Sequence, residues 1–249
     1  RMPHAGHYFR PAVEVVGDLG LILEELAPRL RRKSRADWDM ALVDRLKRER
    51  RACLAVSTAG LAPQRVVEIA RELAPGGTVA TVDAGAHMFP ATTFWESEEP
   101  GTFLISNGLS SMGFALPAAI AAQLAYPSRR VVCLAGDGGL LMVAAELETA
   151  VRLRLPIVIV VFNDRALSLI QVKQEQKGYG SSEMSYTGPD FAPLARSFGM
   201  PAFEAETEEE FRSAMSQALA AGAPALVDAR IDASGYRQIL ETIRGAPRA

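Results

Sequence analysis

Two short, almost wholly apolar runs dominate the hydrophobic pattern of the chain, at residues 131–135 and 157–162. Both runs are rich in β-branched residues, which is typical of strands buried on both faces of a parallel sheet. Between them, residues 140–155 carry apolar side chains at helical spacing, namely Leu140, Val143, Ala144, Leu147 and Val151. The order strand, helix, strand predicts a βαβ unit, whose crossover is almost always right-handed.

The same alternation of strand and helix patterns extends along most of the chain. Further strands are predicted at residues 78–82, 103–106, 202–205 and 225–231. Helices are predicted at residues 63–73, 114–125, 166–176, 191–198, 208–220 and 236–243. Residues 89–100 and 178–189 have no clear period and are predicted as loops. This order predicts an α/β fold: a doubly wound, mostly parallel sheet of about six strands with helices on both faces.

The N-terminal part of the chain does not fit this alternation. Residues 12–30 are predicted as one strand, a turn at Gly17 and Asp18, and one amphipathic helix, which is too little to form a domain alone. We therefore expect an orphan strand–helix unit, the tail (residues 1–30) of an upstream middle domain, and a chain that is a fragment or a processed product. The other expected divisions are a charged linker helix at 31–55, the main domain at 56–235, and a C-terminal helix and tail at 236–249.

The composition is that of an ordinary globular protein. The 249 residues are 49% hydrophobic and 22% charged, which is enough for a sizeable core. The net charge of −2 argues against nucleic acid or a membrane surface as a partner. No run approaches the roughly 18 apolar residues of a membrane span, and we expect no signal peptide. Two cysteines, Cys53 and Cys133, make no disulfide framework, so we expect a reducing, cytoplasmic location.

Each of the two central strands is followed by an acidic residue, Asp137 after the first and Asp164 after the second. Because the carboxyl ends of parallel strands meet at one edge, where open α/β folds bind ligands, we expect these carboxylates to lie together. Asp137 is flanked by Gly136, Gly138 and Gly139, which allow a ligand to approach the backbone closely. The N-terminus of the following helix offers free N–H groups and a positive dipole, which suits a phosphate.

Three interpretations of these residues remain open. A nicotinamide dinucleotide site fits poorly, because its G-x-G-x-x-G pattern requires a small residue at Leu141 and because Asp137 would repel the pyrophosphate. A divalent cation between Asp137 and the phosphates removes that repulsion. Mg²⁺ prefers oxygen ligands, so Asp164 and a backbone carbonyl just past it could complete the ligand set. In the third interpretation, both aspartates only cap helices.

The motif Gly-Asp-Gly-Gly at residues 136–139, followed by a helix, an apolar strand and Asn163-Asp164, resembles the diphosphate-binding motif of thiamine diphosphate enzymes. (Thiamine diphosphate is also called thiamine pyrophosphate.) The surrounding sequence, from residues 63–67 through GLSSMGFALP at residues 108–117, resembles the C-terminal, diphosphate-binding portion of acetolactate synthase large subunits. The resemblance extends over residues 10–232, most of the chain.

The resemblance implies a role for each matching position. Asp137, Asp164 and the carbonyl of Ala166 would bind Mg²⁺. The carbonyl of Ser110 would accept a hydrogen bond from the aminopyrimidine ring, and Met112 would hold the cofactor in its bent conformation. The other positions implied to contact thiamine diphosphate are Ala86, His87, Gly136, Gly138, Gly139 and Leu167.

Two departures from the family pattern concern the same site. The family usually has Asn where Asp164 stands, and Gly is common where Ser110 stands. Because Asp164 adds a negative charge near the diphosphate, we expect the neighbouring Arg165 to offset that charge. Simpler interpretations also remain for Met112, as a core residue, and for His87, as a loop residue.

The resemblance also implies an incomplete site. Family members activate the cofactor with a glutamate on a pyrimidine-binding domain, so we expect no catalytic residue in this chain and no activity from it alone. The intact enzyme, a transferase or lyase, would decarboxylate a 2-oxo acid and pass on the acyl unit. Some members bind FAD, which would not be held by this chain. The expected partners are the 2-oxo acid and a pyrimidine-binding domain of the same or a second chain, in a homodimer or homotetramer.

Three hypotheses about the chain therefore stay open: an enzyme fragment, a separate subunit that needs a pyrimidine-domain partner, or a non-catalytic cofactor-binding or regulatory module. Substrate choice is expected to involve residues 167–173 and 178–189, from their position beside the predicted site.

Overall fold

The computed structural model describes residues 12–30, 37–180 and 183–244 of the chain. They belong to two compact units, residues 1–46 and residues 47–249, each of which is described by itself below. None of the helices formed by the described residues is long and apolar enough to cross a membrane. The division expected from the sequence, at residues 30, 55 and 235, stays a prediction.

The first unit contains helix α1 (Leu19–Leu26), which ends in a 3₁₀ turn. Asp18 caps this helix by accepting a hydrogen bond from the backbone N–H of Leu21. Helix α2 (Met40–Leu54) begins in this unit and continues into the second. The strand predicted before Gly17 is wrong: the described residues 12–17 form none, and their valines are exposed. A β-branched run forms a strand only when a neighbouring strand pairs with it.

The second unit is built from alternating strands and helices. Its strands are β1 (Val79–Val82), β2 (Phe103–Ile105), β3 (Val131–Gly136), β4 (Ile157–Asn163), β5 (Ala202–Ala205) and β6 (Ala225–Arg230). Its helices are α3 (Pro63–Leu73), α4 (Met88–Phe94), α5 (Ala115–Ala125), α6 (Asp137–Met142), α7 (Glu146–Arg152), α8 (Ser168–Gln176), α9 (Phe191–Ser197), α10 (Glu208–Ala220) and α11 (Tyr236–Arg244). Thr207 and Glu210 form a capping box at the start of α10.

The strands form one six-stranded sheet in the order β2-β1-β3-β4-β6-β5, and every pair is parallel. Two hydrophobic clusters lie on its opposite faces, because successive side chains of a strand point to alternate sides. Val132 and Leu134 belong to the cluster beneath α3 and α10, whereas Val131 and Cys133 belong to the cluster beneath α5 and α9. The predicted doubly wound parallel sheet with helices on both faces is confirmed.

Two element predictions inside this unit are wrong. Residues 140–155 form two helices, α6 and α7, separated by a turn at residues 143–145. Val143 leaves the helical conformation there (φ −132°), while the apolar spacing continues because both helices face the sheet. The predicted loop at residues 89–100 begins with helix α4. Burial of Phe89, Ala91 and Phe94 supplies the stabilisation that a short isolated helix lacks.

The chain changes direction in the sheet between β1 and β3. From β1 it proceeds to β2 on one side, and it then returns to place β3 on the other side. The loops that leave β1 and β3 therefore diverge and open a crevice at the carboxyl edge of the sheet. Such a switch point is where open α/β sheets bind ligands.

Candidate functional site

A cavity of about 290 Å³ opens at the carboxyl edge of the sheet, beside the ends of β1, β3 and β4. Every residue that the sequence predicted for the cofactor site lines it: Ala86, His87, Ser110, Met112, Gly136, Asp137, Gly138, Gly139, Asp164, Ala166 and Leu167. Four separate segments of the chain are thus brought together around one space.

Asp137 is the first residue of α6 and is buried. One of its carboxylate oxygens, Oδ1, accepts a hydrogen bond from the N–H of Gly138, and the other, Oδ2, accepts one from the N–H of Arg165, both at 2.7 Å. Burial raises the pKa of this carboxyl, although these hydrogen bonds favour the charged form. Through these two hydrogen bonds, Asp137 connects the start of α6 to the turn after β4.

Asp164 lies in that turn, next to Asp137. Its Oδ1 accepts a hydrogen bond from the N–H of Ala166 at 3.2 Å, and its Oδ2 accepts one from the hydroxyl of Ser168. Burial, together with the negative charge of Asp137, raises the pKa of Asp164 to about 6, although the hydrogen bond from Ser168 acts in the opposite direction. Asp137 is buried and Asp164 is partly buried, and a divalent cation relieves the repulsion between two such carboxylates.

The described residues contain no cluster of three or more His, Cys, Asp or Glu side chains that could hold a metal ion. A metal at this site would therefore take two side-chain ligands, Asp137 and Asp164, and complete its coordination with backbone, ligand or water oxygens. Mg²⁺ is commonly bound in that way, by one or two carboxylates together with phosphate oxygens.

The side chain of Arg165 does not have the expected role of offsetting the charge of Asp164. Its guanidinium pairs with Asp190 at 3.4 Å, where both side chains are about half exposed. The contribution of Arg165 is made by its backbone, which has φ +55° and donates its N–H to Asp137. The expected compensation of the Asp164 charge by this guanidinium is not supported.

The turn that contains Ala166 is bound to a second segment of chain. Ala166 forms an antiparallel bridge with Ser185, made by hydrogen bonds from the N–H of Leu167 to the carbonyl of Met184 (2.8 Å) and from the N–H of Tyr186 to the carbonyl of Arg165 (3.0 Å). On this side the bridge is formed by the carbonyl of Arg165 and the N–H of Leu167, and not by the carbonyl of Ala166 itself. That carbonyl is consequently not engaged in the bridge, as a metal ligand would require.

The glycines of the loop at residues 136–139 are required by close neighbours. A Cβ on Gly138 would lie 2.8 Å from Cδ2 of Leu167 and 3.3 Å from Cε of Met112. A Cβ on Gly139 would lie only 1.9 Å from Oδ2 of Asp83. The N–H of Gly138 donates to Asp137 in this structure, so it is shared between that carboxylate and any phosphate that binds there.

Asp83 is a site-supporting residue that the sequence analysis did not single out. Its carboxylate accepts hydrogen bonds from the N–H groups of Gly113 (3.0 Å) and Phe114 (2.8 Å), at the start of α5. It thereby fixes the loop that carries Met112 and limits the space beside Gly139. An acidic residue directly after a predicted strand, as in Asp137, was the signal available in the sequence.

His87 is buried and stacks on Phe162, with ring centroids 5.2 Å apart. Burial lowers the pKa of His87 to about 4, so the imidazole is neutral at pH 7. Its Nε2 is buried and has no hydrogen-bond partner among the described residues. An unsatisfied ring nitrogen beside the cavity is consistent with a ligand contact, which is the role that the sequence resemblance implies.

The buried His87 should make stability depend on pH with a known sign. The unfolded chain binds a proton at this histidine near pH 6.5, whereas the folded chain binds it only near pH 4. The free energy of unfolding should therefore fall between pH 6.5 and pH 4 by about 3 kcal/mol more than in His87→Gln. Urea denaturation of both proteins at several pH values measures this difference, and parallel stability profiles would contradict the prediction.

Ser110 and Met112 lie in the loop before α5. Ser110 has φ +50°, a left-handed conformation that explains why glycine suits this position better than serine. Met112 lines the cavity, and its Cε is 3.3 Å from where a Cβ on Gly138 would lie. The role that the sequence resemblance implies for Ser110 uses its backbone carbonyl and does not depend on its side chain.

Residues beyond the predicted set also line the cavity. Leu169, Ile170 and Lys173 extend it along α8, in agreement with the expected region 167–173. No described residue of the loop at 178–189 lines it; residues 181 and 182 lie outside the described part. Tyr236, at the start of α11, contributes a buried ring to the cavity from the C-terminal segment. Nothing local in the sequence linked that tyrosine to the site.

Comparison with known proteins identifies this arrangement. Residues 83–229 match the family described as "Thiamine pyrophosphate enzyme, C-terminal TPP binding domain". The acetolactate synthase of Bacillus subtilis (strain 168) is 30% identical over 232 residues, which cover 92% of this chain and 41% of that protein. The acetolactate synthase isozyme 3 large subunit of Escherichia coli (strain K12) is 32% identical, over 83% of this chain and 38% of that protein.

A solved structure shows the same fold. The thiamine diphosphate-dependent 4-hydroxybenzoylformate decarboxylase of Rhodococcus jostii RHA1 superposes with a TM-score of 0.67 and 28% identity, over 72% of this chain and 34% of that one. The chain spans about 40% of the length of the curated relatives that it matches. Because the family match extends over more than half of the chain, the chain belongs to the thiamine pyrophosphate enzymes, as a C-terminal domain of the kind that binds thiamine diphosphate.

Proposed function

We propose that this chain is the diphosphate- and Mg²⁺-binding part of an acetolactate synthase-like enzyme. The intact enzyme would decarboxylate a 2-oxo acid and transfer the acyl unit to an acceptor or to a proton. The observation that carries this proposal is a pair of carboxylates beside one cavity: buried Asp137 at the N-terminus of α6 and partly buried Asp164 in the turn after β4. The names of the relatives support the same reaction class.

The residues present fit a metal-bridged diphosphate. Asp137 and Asp164 supply two hard oxygen ligands, and the carbonyl of Ala166 would supply a third. The N-terminus of α6 adds backbone N–H groups and a positive dipole for the phosphates. The close approach of Leu167 and Met112 to Gly138 leaves no space for a side chain there, so the position requires glycine.

Thiamine diphosphate, when bound, would supply the carbanion chemistry needed to break the bond to the carboxylate of a 2-oxo acid. The chain's own residues bind and orient it. Met112 would support the cofactor from one side of the cavity, and the carbonyl of Ser110 would accept a hydrogen bond from its aminopyrimidine ring. Neutral His87 would donate a hydrogen bond to the diphosphate without adding a charge. Leu169, Ile170 and Lys173 extend the cavity where a substrate would enter.

The activating glutamate would come from a pyrimidine-binding domain, in the same longer chain or in a second one. We expect this chain to bind the cofactor and to be inactive by itself. A separate subunit that needs such a partner is the second candidate, and a non-catalytic cofactor-binding module is the third. The assembled enzyme would be a homodimer or homotetramer, and FAD, where present, would be bound outside this chain.

Calorimetric titration of the chain with thiamine diphosphate tests the proposal. We expect binding with 5 mM Mg²⁺ and at least about tenfold weaker binding with excess chelator, because without the cation the two carboxylates repel the diphosphate. NAD⁺, titrated under the same conditions, should not bind.

Each outcome of the titration has a distinct meaning. Binding of thiamine diphosphate that is equally strong with chelator would refute the metal bridge. No binding under either condition would refute the assignment of the cofactor site to this chain. Appearance of decarboxylase activity without any added domain would refute the expected need for a partner.

A further inference from the structure

Tyr186 lies in the loop at residues 178–189, and the proposed function does not use it. Its ring lies beside the start of α6: a Cβ on Gly138 would be 3.0 Å from the Tyr186 hydroxyl oxygen. The residue does not line the cavity, so it approaches the site from outside the space that a cofactor would fill. The hydroxyl oxygen is nevertheless buried.

The hydroxyl of Tyr186 and the carboxylate of Asp137 both lie against Gly138: the hydroxyl oxygen is 3.0 Å from where a Cβ on Gly138 would lie, and Oδ1 of Asp137 accepts the N–H of Gly138 at 2.7 Å. Although the two groups are close, the hydroxyl makes no hydrogen bond of normal geometry with Asp137 or with any other described residue. A phenol O–H can rotate, and a buried donor left unsatisfied costs about 1–3 kcal/mol. The negative carboxylate beside it is therefore the acceptor that we assign.

The backbone of Tyr186 is bound to the same site by a second route. Its N–H donates to the carbonyl of Arg165 at 3.0 Å, and the N–H of Arg165 donates to Oδ2 of Asp137 at 2.7 Å. The hydroxyl contact closes this chain of contacts into a ring of three residues: Asp137, Arg165 and Tyr186. Each member restrains the other two, which a single hydrogen bond does not do.

We propose that Tyr186 is a positioning residue of the metal site: its hydroxyl orients the Asp137 carboxylate, and its backbone holds the turn that carries Asp164 and Ala166. The proposal rests on the proposed function, because it requires that these residues bind the metal. Ligating carboxylates are commonly hydrogen-bonded in turn, and loss of such a partner weakens metal binding. Tyr186 acts through Asp137 and does not itself contact the metal or the cofactor.

The experiment measures Mn²⁺ binding by electron paramagnetic resonance in the presence of saturating thiamine diphosphate, with Mn²⁺ as a probe for Mg²⁺. Tyr186→Phe removes the hydroxyl and keeps the ring. We expect Mn²⁺ to bind at least about tenfold more weakly to this variant, with a broader bound spectrum, because the carboxylate is less well oriented. Tyr179→Phe is the matched control, since Tyr179 lies in the same loop and is 65% exposed; its Mn²⁺ affinity should stay within about twofold of the wild type.

Urea denaturation without metal separates positioning from general stability. If the hydroxyl only stabilises the loop, Tyr186→Phe lowers the free energy of unfolding and leaves Mn²⁺ affinity and the spectrum unchanged, and the inference is overturned. If the wild type itself does not bind Mn²⁺ with thiamine diphosphate, both the proposed function and this inference are overturned. Wild-type binding with a weaker, broadened Tyr186→Phe signal supports both.

Discussion

Asp137→Asn is expected to abolish metal-dependent binding of thiamine diphosphate. The substitution keeps the shape of the side chain but removes a buried negative charge that would face the cation. Loss of one partner from such a buried charge pair amounts to about 3–5 kcal/mol, which is more than a hundredfold in affinity. Because the described residues offer only two carboxylates at this site, Asp164 alone would remain as a side-chain ligand. Calorimetry with 5 mM Mg²⁺ measures the loss.

Asp164→Asn provides the discriminating comparison. An asparagine oxygen can still coordinate Mg²⁺, and the change removes the repulsion by Asp137 that helps to raise the pKa of Asp164 to about 6. We therefore expect affinity within about tenfold of the wild type. Asp190→Asn, an exposed carboxylate that pairs with Arg165, is a control outside the site. Equal losses in Asp137→Asn and Asp164→Asn would contradict the different roles assigned to them.

The sheet could be predicted because its strands carry their own signals. β3 and β4 are buried on both sides, so their sequences are nearly continuous in apolar, β-branched residues. α10 likewise has both a regular pattern and a capping box. The strand expected before Gly17 had a similar composition, but no partner strand among the described residues pairs with it. Composition therefore indicated which segments were capable of forming strands, and pairing decided which of them did.

Helix α4 is the opposite case, an element that forms although the sequence does not predict it. Its residues Met88–Phe94 have little helical periodicity and include Pro90, so the sequence favoured a loop. Burial of Phe89 and Phe94 in the core stabilises the helix, and that burial depends on segments distant in the sequence. Similarly, the break between α6 and α7 could not be predicted, because the helical spacing of apolar residues continues across it.

The two carboxylates at the centre of the site could be predicted from the sequence, but the residues that surround and support them could not. Asp137 and Asp164 each follow a recognisable strand, and in a parallel sheet the ends of neighbouring strands must meet. Asp83, Tyr186 and Tyr236 reach the site through contacts that connect residues remote in the chain. No spacing rule encodes such contacts, whereas the three-dimensional structure gives them directly.

Gly139→Ala is expected to destabilise the fold, although helix propensity alone predicts the reverse. Gly139 lies within α6, where alanine is favoured over glycine by about 1 kcal/mol. The added Cβ would lie 1.9 Å from Oδ2 of Asp83, a distance that requires the carboxylate to move. That carboxylate is buried and accepts the N–H groups of Gly113 and Phe114. We expect a net loss of about 3 kcal/mol in the free energy of unfolding, measured by urea denaturation.

Two further variants make this prediction specific to the contact between Gly139 and Asp83. Gly108→Ala adds the same methyl group where no atom lies within 4 Å, and it should change stability by less than about 1 kcal/mol. Asp83→Ala removes the carboxylate, so adding Gly139→Ala to it should cost far less than in the wild type, because the clash is gone. If the two losses are simply additive, the methyl group is not displacing Asp83. A non-additive result would instead show that this glycine is required by the carboxylate that supports the loop of Met112.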